Sequence, residues 1–157
     1  MNYHPALVQL PLVREVGKQR IVTPADVYRV CSDIADLAQE AFHLLTLNAK
    51  NCLINRHMIS LGLADASLVH PREVFRAAIA DGASAVVVVL AHNHPSGDCT
   101  PSAEDLRITR QLIEAGKIVD IKILDHVIIG RPVEPVGEQP GRAAFLSLRE
   151  SGMVAFA

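Results

Sequence analysis

An uninterrupted apolar run in the middle of the chain constrains the fold more than any other feature. Residues 83–91 are nine positions with a single polar side chain, Ser84, and residues 86–89 are four consecutive valines. The run is bounded by Gly82 and by the turn-forming Pro95-Ser96-Gly97, and it is much shorter than the roughly 20 residues that span a bilayer. These features predict a strand over residues 83–92 that is buried on both faces at the centre of a sheet.

Helix-start signals stand before and after this run. In each case a proline occupies a first-turn position, where its missing N–H costs no hydrogen bond, and in two cases a threonine precedes it as the N-cap. The helix that begins at Pro71 should carry an apolar stripe that includes Ile79. The three helices are predicted from Pro24 to near Gln39, from Pro71 to a cap at Gly82, and from Thr100-Pro101 to Gly116.

The other segments indicate strands. Residues 48–51 carry turn-forming side chains between two apolar-rich segments and favour an antiparallel hairpin. Strands are predicted over residues 41–47, 52–60, 119–129 and 144–148, with a loop rich in Pro and Gly over 130–141. Helices interleaved with a mixed sheet indicate a layered α/β domain. We place this domain at residues 21–157, behind an N-terminal arm at residues 1–20.

Composition and charge argue against several classes of protein. The chain has 15 Lys and Arg against 17 Asp and Glu, which gives no general electrostatic attraction to nucleic acid or to an anionic membrane. Two Tyr, four Phe and no Trp leave few platforms for base stacking. The three cysteines form no C-x-x-C pair, so they indicate neither a disulfide framework nor a cysteine-based zinc site. A cytoplasmic location is expected, since no targeting or membrane segment is recognisable.

The side chains with chemical potential are concentrated just after the central strand. His92 and His94 are two residues apart, which places them on one face of a strand, about 6.6 Å apart along it. Seven residues separate His94 from Ser102, enough for the chain to return so that Asp105 adds a carboxylate. Two histidines and one carboxylate are a catalytic zinc set that leaves a fourth position for water. Ser102 and Asp105 alone would be explained as helix-capping residues, and the histidine pair favours the metal.

This spacing resembles the JAMM motif of the JAB/MPN metalloprotease superfamily. The sequence H-N-H-P-S-G-D, followed by T-P-S-A-E-D, is similar to the RadC branch, and residues 65–75 and 124–130 match that branch in order. The resemblance covers roughly residues 21–157. It implies a cytidine-deaminase-like αβα fold with a mixed central sheet. It also implies a hydrolase of peptide or isopeptide bonds that uses one zinc ion and a zinc-activated water.

The resemblance further implies roles for individual residues. The metal ligands are matched by His92, His94 and Asp105. Ser102 matches the residue that helps to hold the tetrahedral intermediate. The family also uses a glutamate before an upstream strand, and Glu40 fits best as the base that takes a proton from the water and passes it to the leaving amine. Glu73 and Glu104 compete for this role, although Glu104 faces about 100° away from Asp105 around the helix.

Three features depart from the RadC pattern. Full-length members carry an additional N-terminal helix-hairpin-helix-like region, for which 157 residues leave no room, so we expect a single-domain form without that region's DNA association. Cys99 stands where the branch usually has Pro, and its thiol is either a fortuitous soft ligand, an oxidation-sensitive group or, more often for a loop cysteine, inert. The loop over residues 131–142 is longer than expected. His126, on a predicted strand, is interpreted as a core histidine or as a support for the ligands.

Three functions remain in competition at this stage. The first is a zinc metallopeptidase acting on a protein or peptide whose identity the motif does not specify. The second is a nucleic-acid maintenance factor, which the RadC resemblance suggests and the charge does not support. The third is a metal-bound interaction module without turnover. A nucleobase deaminase is excluded because the chain lacks H-x-E followed by P-C-x-x-C. The oligomeric state is left open.

Overall fold

The computed structural model describes residues 19–62, 69–82, 88–136, 141 and 143–156, with only the backbone described for residues 88–92. Three helices and five strands alternate along these residues, and a short 3₁₀ turn at Ser32–Ile34 follows the first helix. The elements are α1 Pro24–Cys31, β1 Ala41–Leu47, β2 Leu53–Leu61, α2 Pro71–Ala80, β3 Val88–Asn93, α3 Ala103–Val119, β4 Ile123–Ile129 and β5 Phe145–Ser147. The fold is therefore a mixed α/β domain, as predicted.

The five strands form one mixed sheet in the order β2-β1-β3-β4-β5. β3 and β4 are parallel, with α3 as the crossover between them, and the other three pairs are antiparallel. The predicted hairpin is confirmed as β1 and β2. β3 is the central strand, which confirms the predicted central strand for residues 88–92, while residues 83–87 lie outside the described part of the chain. The burial of this strand on both faces stays a prediction.

The first helix is shorter than predicted. It begins at Pro24 with Thr23 as its N-cap, as expected, but it ends at Cys31 rather than near Gln39. Arg56 of β2 explains the early end: its guanidinium donates to the Val30 carbonyl at 2.8 Å and to Asp33 Oδ1 at 2.7 Å. If the α-helix continued, the Val30 carbonyl would accept a hydrogen bond from the next turn. It accepts one from Arg56 instead.

The third helix begins and ends later than predicted. Ser102, not Thr100, is its N-cap, because Thr100 is drawn into hydrogen bonds with Asp98 Oδ1 instead. The helix continues past Gly116 to Val119, so the strand predicted from residue 119 starts only at Ile123. Gly116 is a packing residue rather than a stop, since a Cβ there would lie 2.5 Å from the Ile121 carbonyl oxygen.

The core lies around β1, all seven of whose residues are buried. α2 contributes Val74, Phe75 and Ala78 to it, but Ile79 is 58% exposed, so the predicted stripe is wrong at that position. Residues 1–18 of the predicted arm lie outside the described residues, and Arg20 forms an isolated antiparallel bridge with Cys52. None of the helices in the described ranges combines the length and apolar character that crossing a membrane requires.

Candidate metal centre

Three elements meet at the carboxyl end of β3 and form the candidate site. His94 directly follows β3, Asp105 lies in the first turn of α3, and Glu40 immediately precedes β1. The structure brings His94 Nε2 to 3.3 Å from Asp105 Oδ2. Two ligand atoms that each lie about 2.0 to 2.1 Å from a tetrahedral zinc ion are about 3.3 Å apart. The spacing of these two atoms thus fits two corners of such a site.

The hydrogen bonds of His94 fix which nitrogen is available to a cation. Its Nδ1 lies 2.8 Å from the Asp98 carbonyl oxygen, which can only accept, so Nδ1 carries a hydrogen. Neutral imidazole then presents a lone pair at Nε2, facing the Asp105 carboxylate. Two facing acceptors need a proton or a metal ion between them, and a histidine tied at Nδ1 to a carbonyl is the usual metal-ligand arrangement.

The pKa of His94 shows how the site favours positive charge. Burial lowers the pKa of His94, but hydrogen bonds to Asp105 and to the Asp98 carbonyl, together with the charges of Asp105 and Glu40, raise it above its ordinary value overall. Glu40 is therefore within electrostatic reach of His94, and it is half-buried. The same surroundings that attract a proton to His94 would attract a cation.

Asp105 is held in place by the start of its own helix. Its side chain is 2% exposed, and its Oδ2 accepts from the Ser102 backbone N–H at 2.7 Å. In return, Ser102 Oγ accepts from the Asp105 N–H at 3.0 Å. This reciprocal capping box satisfies two N–H groups at the helix start and fixes Ser102 beside the candidate ligand. The capping interpretation of these two residues is thus correct, and it is compatible with a role in a metal site.

His92 is placed only by its backbone. It lies in β3, paired in register with Phe42 of β1 and Ile128 of β4, and its side chain is not among those described. No three His, Cys, Asp or Glu side chains in the described ranges converge as metal ligands. Of the three predicted ligands, the structure therefore brings together His94 and Asp105, and the side chain of His92 stays a prediction.

Asn93 is a site residue that the sequence interpretation missed. It is fully buried between the two histidine positions, and its side chain bonds to the backbone on both sides of Glu40. Its Oδ1 accepts from the Ala41 N–H at 2.7 Å, and its Nδ2 donates to the Gln39 carbonyl at 3.1 Å. The signal that could have found it is an amide side chain at the end of the predicted central strand, because a buried amide needs hydrogen-bond partners.

Arg131 shapes the loop that carries His94 toward α3. Its guanidinium donates to the Pro95 carbonyl at 2.6 Å, and its backbone N–H donates to the Gly97 carbonyl at 2.9 Å. Gly97 has φ of +79°, and a Cβ there would lie 2.8 Å from Arg131 Nε. The sequence did not single out Arg131, because a residue just after a distant strand carries no local motif.

Thr109 and His126 support Asp105 from behind. Thr109 Oγ1 donates to the Asp105 carbonyl at 2.6 Å and lies 2.5 Å from His126 Nδ1. His126 is fully buried on β4 and stacks edge-on against Phe42, with ring centroids 5.6 Å apart. These contacts bear out the interpretation of His126 as a core histidine, and they link the core to the backbone of a candidate ligand.

The alternatives to Glu40 as the base, and Cys99 as a possible ligand, have other partners. Glu104 pairs with Arg107 on the outer face of α3, with Arg107 Nε at 2.9 Å. Glu73 lies in the first turn of α2, half exposed, with Arg76 at 3.8 Å. Cys99 is buried, and its thiol donates to the Ala143 carbonyl at 3.7 Å. Among the glutamates considered, Glu40 is the one whose charge acts on His94.

Comparison with known proteins is consistent with this arrangement. The model of the RadC-like JAB domain matches residues 21–152. A UPF0758 protein of Symbiobacterium thermophilum is 47% identical over 121 residues, which are 77% of this chain and 46% of that protein. A UPF0758 protein of Listeria monocytogenes serovar 1/2a is 43% identical over 145 residues, 92% of this chain and 59% of that protein. The chain spans about half the length of these relatives.

Proposed function

Because this chain belongs to the RadC-like JAB domain family, we propose that it is a zinc-dependent metallohydrolase of peptide or isopeptide bonds with the αβα layering of the JAB/MPN fold. The observation that carries the proposal is the 3.3 Å approach of His94 Nε2 to Asp105 Oδ2, with Nδ1 of His94 bound to a carbonyl. We assign one zinc ion to His94 and Asp105, with His92 as the third ligand from the sequence motif.

The positions of the side chains support the roles that we propose for them. When bound, zinc would supply a Lewis acid that lowers the pKa of a water molecule to about 7. Glu40, close enough to His94 for its charge to be felt there, would accept a proton from that water and deliver it to the leaving amine. Ser102, fixed beside Asp105 by the capping box, would donate a hydrogen bond to the developing oxyanion.

Metal content and hydrolysis together test this function. We expect the purified chain to bind stoichiometric zinc, and His94→Ala and His92→Ala each to lose most of it and all hydrolysis of peptide and isopeptide-linked libraries. His57→Ala is the matched control, since His57 bonds to Asp81 at 2.7 Å and not to the site. Zinc binding that survives both site substitutions would refute the metal assignment.

Two outcomes would favour the other functions. Stoichiometric zinc with no hydrolysis of either substrate class would favour a metal-bound interaction module. A salt-dependent shift of short DNA duplexes would favour a role in DNA maintenance, because phosphate contacts are weakened by salt. The same measurements on a full-length relative would show whether the remaining half of those proteins supplies either property.

A further inference from the structure

We infer that Asn93 is a positioning residue for Glu40, an inference that rests on the base role given to Glu40 in the proposed function. Asn93 lies at the end of β3, between the positions of His92 and His94. Its side chain is fully buried and makes two hydrogen bonds to backbone groups about fifty residues earlier in the sequence, with a separation of 52 residues to Ala41 and 54 to Gln39. The two bonds join the end of β3 to Ala41, the first residue of β1, and to Gln39 just before β1.

The two bonds hold the two peptide groups that meet at the Glu40 Cα. The Gln39 carbonyl belongs to the peptide group before Glu40, and the Ala41 N–H belongs to the one after it. A third bond, from the Gly62 N–H to the Glu40 carbonyl at 2.9 Å, holds the same unit from the β2 side. With both peptide planes fixed, the φ and ψ angles of Glu40 are fixed, and only its side-chain torsions remain free.

The point at which the β1–β3 pairing ends explains why a side chain, and not the backbone, bonds to the Ala41 N–H. The antiparallel pairing of β1 with β3 runs from Thr46 with Val88 to Phe42 with His92 and ends there. One residue further, the Asn93 amide takes over and accepts from the next N–H of β1. The strand that would supply the histidine ligands is thereby tied to the segment that supplies the base.

The geometry requires the amide of asparagine. One side-chain atom must accept from an N–H while the other donates to a carbonyl, and asparagine offers both at the end of a short stem. Aspartate keeps the acceptor and loses the donor, and it would bring a negative oxygen against the Gln39 carbonyl. Alanine loses both bonds and leaves the buried Ala41 N–H and the Gln39 carbonyl without the partner they have now.

Amide exchange and cobalt substitution test this role with the full chain. We expect Asn93→Ala to accelerate exchange of the Ala41 amide hydrogen at least about tenfold, as the loss of one such bond would. In protein loaded with Co²⁺ in place of zinc, Glu40→Gln should change the visible spectrum, and Asn93→Ala should reproduce that change. The double variant should show no further change, and Asn93→Asp should fall between Asn93→Ala and the parent.

Thr46→Val is the control for a purely structural effect. Thr46 is also fully buried on β1 and donates to Asp81 Oδ2 at 2.5 Å, at the end of the strand away from Glu40. This variant should lose comparable stability and keep the parent spectrum. A parent spectrum in Asn93→Ala, or spectral changes that add in the double variant, would overturn the inference.

Failure of the proposed function would look different. If Glu40→Gln leaves the cobalt spectrum unchanged, the base role of Glu40 is wrong. The role of Asn93 is then tested by amide exchange alone. Unchanged exchange of the Ala41 amide hydrogen in Asn93→Ala would overturn the inference that Asn93 holds the backbone at residue 40, and accelerated exchange would support it.

Discussion

His43, which is buried, and His94, which is partly buried, acquire opposite acid–base properties in this chain. At His43, burial and the positive charge of Arg56 together lower the pKa to about 4, although the charge of Asp33 acts in the opposite direction. Arg56 also donates its Nε–H to His43 Nδ1 at 3.2 Å, which requires an unprotonated nitrogen there. At His94, by contrast, acceptors surround the ring and raise the pKa. One residue excludes a proton and the other attracts a positive charge.

The contribution of His43 to stability should therefore decrease as the solution is acidified below its ordinary pKa. The unfolded chain binds a proton at His43 near pH 6.5, whereas the folded chain does so only near its pKa of about 4. Between these values the unfolded state binds more protons at His43, so the contribution of His43 to the free energy of unfolding should fall by about 2 kcal/mol from pH 7 to pH 5. Urea unfolding of the parent and of His43→Gln measures this. The parent should lose more stability than the variant by that amount, and parallel curves would contradict the assignment.

The sequence predicts a site residue where that residue belongs to a local motif. It does not predict one whose role depends on a contact with a distant part of the chain. His94 and Asp105 share a short motif, and the structure brings them together as that motif implies. The sequence indicates no chemical role for Asn93, because its partners at residues 39 and 41 lie across the sheet and no local spacing reveals them. Thr109 is not indicated by the sequence for the same reason, since its partner His126 lies on the next strand.

At the level of elements, two helices of the domain start with the same device. Thr23 and Asp26 form a capping box on α1, and Ser102 and Asp105 form one on α3. In the first, Thr23 is exposed and Asp26 pairs with Arg29, whereas the second contains a candidate ligand that is 2% exposed. Comparison of the two capping boxes therefore distinguishes the stabilising effect of a helix cap from a role in the candidate site.

Substitution of the two capping residues should give equal losses of stability and unequal losses of function. Thr23→Ala and Ser102→Ala each remove the side-chain acceptor of one N–H, so each should cost about 1 kcal/mol of unfolding free energy. Only Ser102→Ala should slow hydrolysis, by roughly a hundredfold if its hydroxyl donates to the oxyanion. Equal rates of hydrolysis in the two variants would show that Ser102 only caps the helix.

Element types were easier to predict than their ends. Proline and threonine signals located the start of α1, but its end depends on Arg56, a residue of another element. Gly116 resembled a helix stop, yet α3 continues past it, because that glycine serves the close approach of the Ile121 carbonyl. Helix ends decided by tertiary contacts are outside the reach of local patterns.

At the level of the whole molecule, the sheet order creates the candidate site. β3 lies between β1 and β4, so its carboxyl end meets both the segment before β1 and the start of α3. The pairing of β1 with β3 joins residues about fifty positions apart, for example Phe42 with His92. Periodicity predicted that each strand exists, whereas the neighbours of each strand depend on packing across the domain. The α/β class was therefore predictable, and the strand order was not.

Because the candidate ligands come from two elements, metal binding should stabilise the whole fold. Zinc that binds the folded chain and not the unfolded one adds about 2.7 kcal/mol to the unfolding free energy when its free concentration is one hundred times Kd. Asp105→Asn should abolish this gain and keep the cap, since its amide oxygen can still accept from the Ser102 N–H. Glu104→Gln, next to it on the outer face of α3, should keep the gain. Urea unfolding with zinc and after chelation gives the answer, and an equal gain in Asp105→Asn would place the stabilising zinc elsewhere.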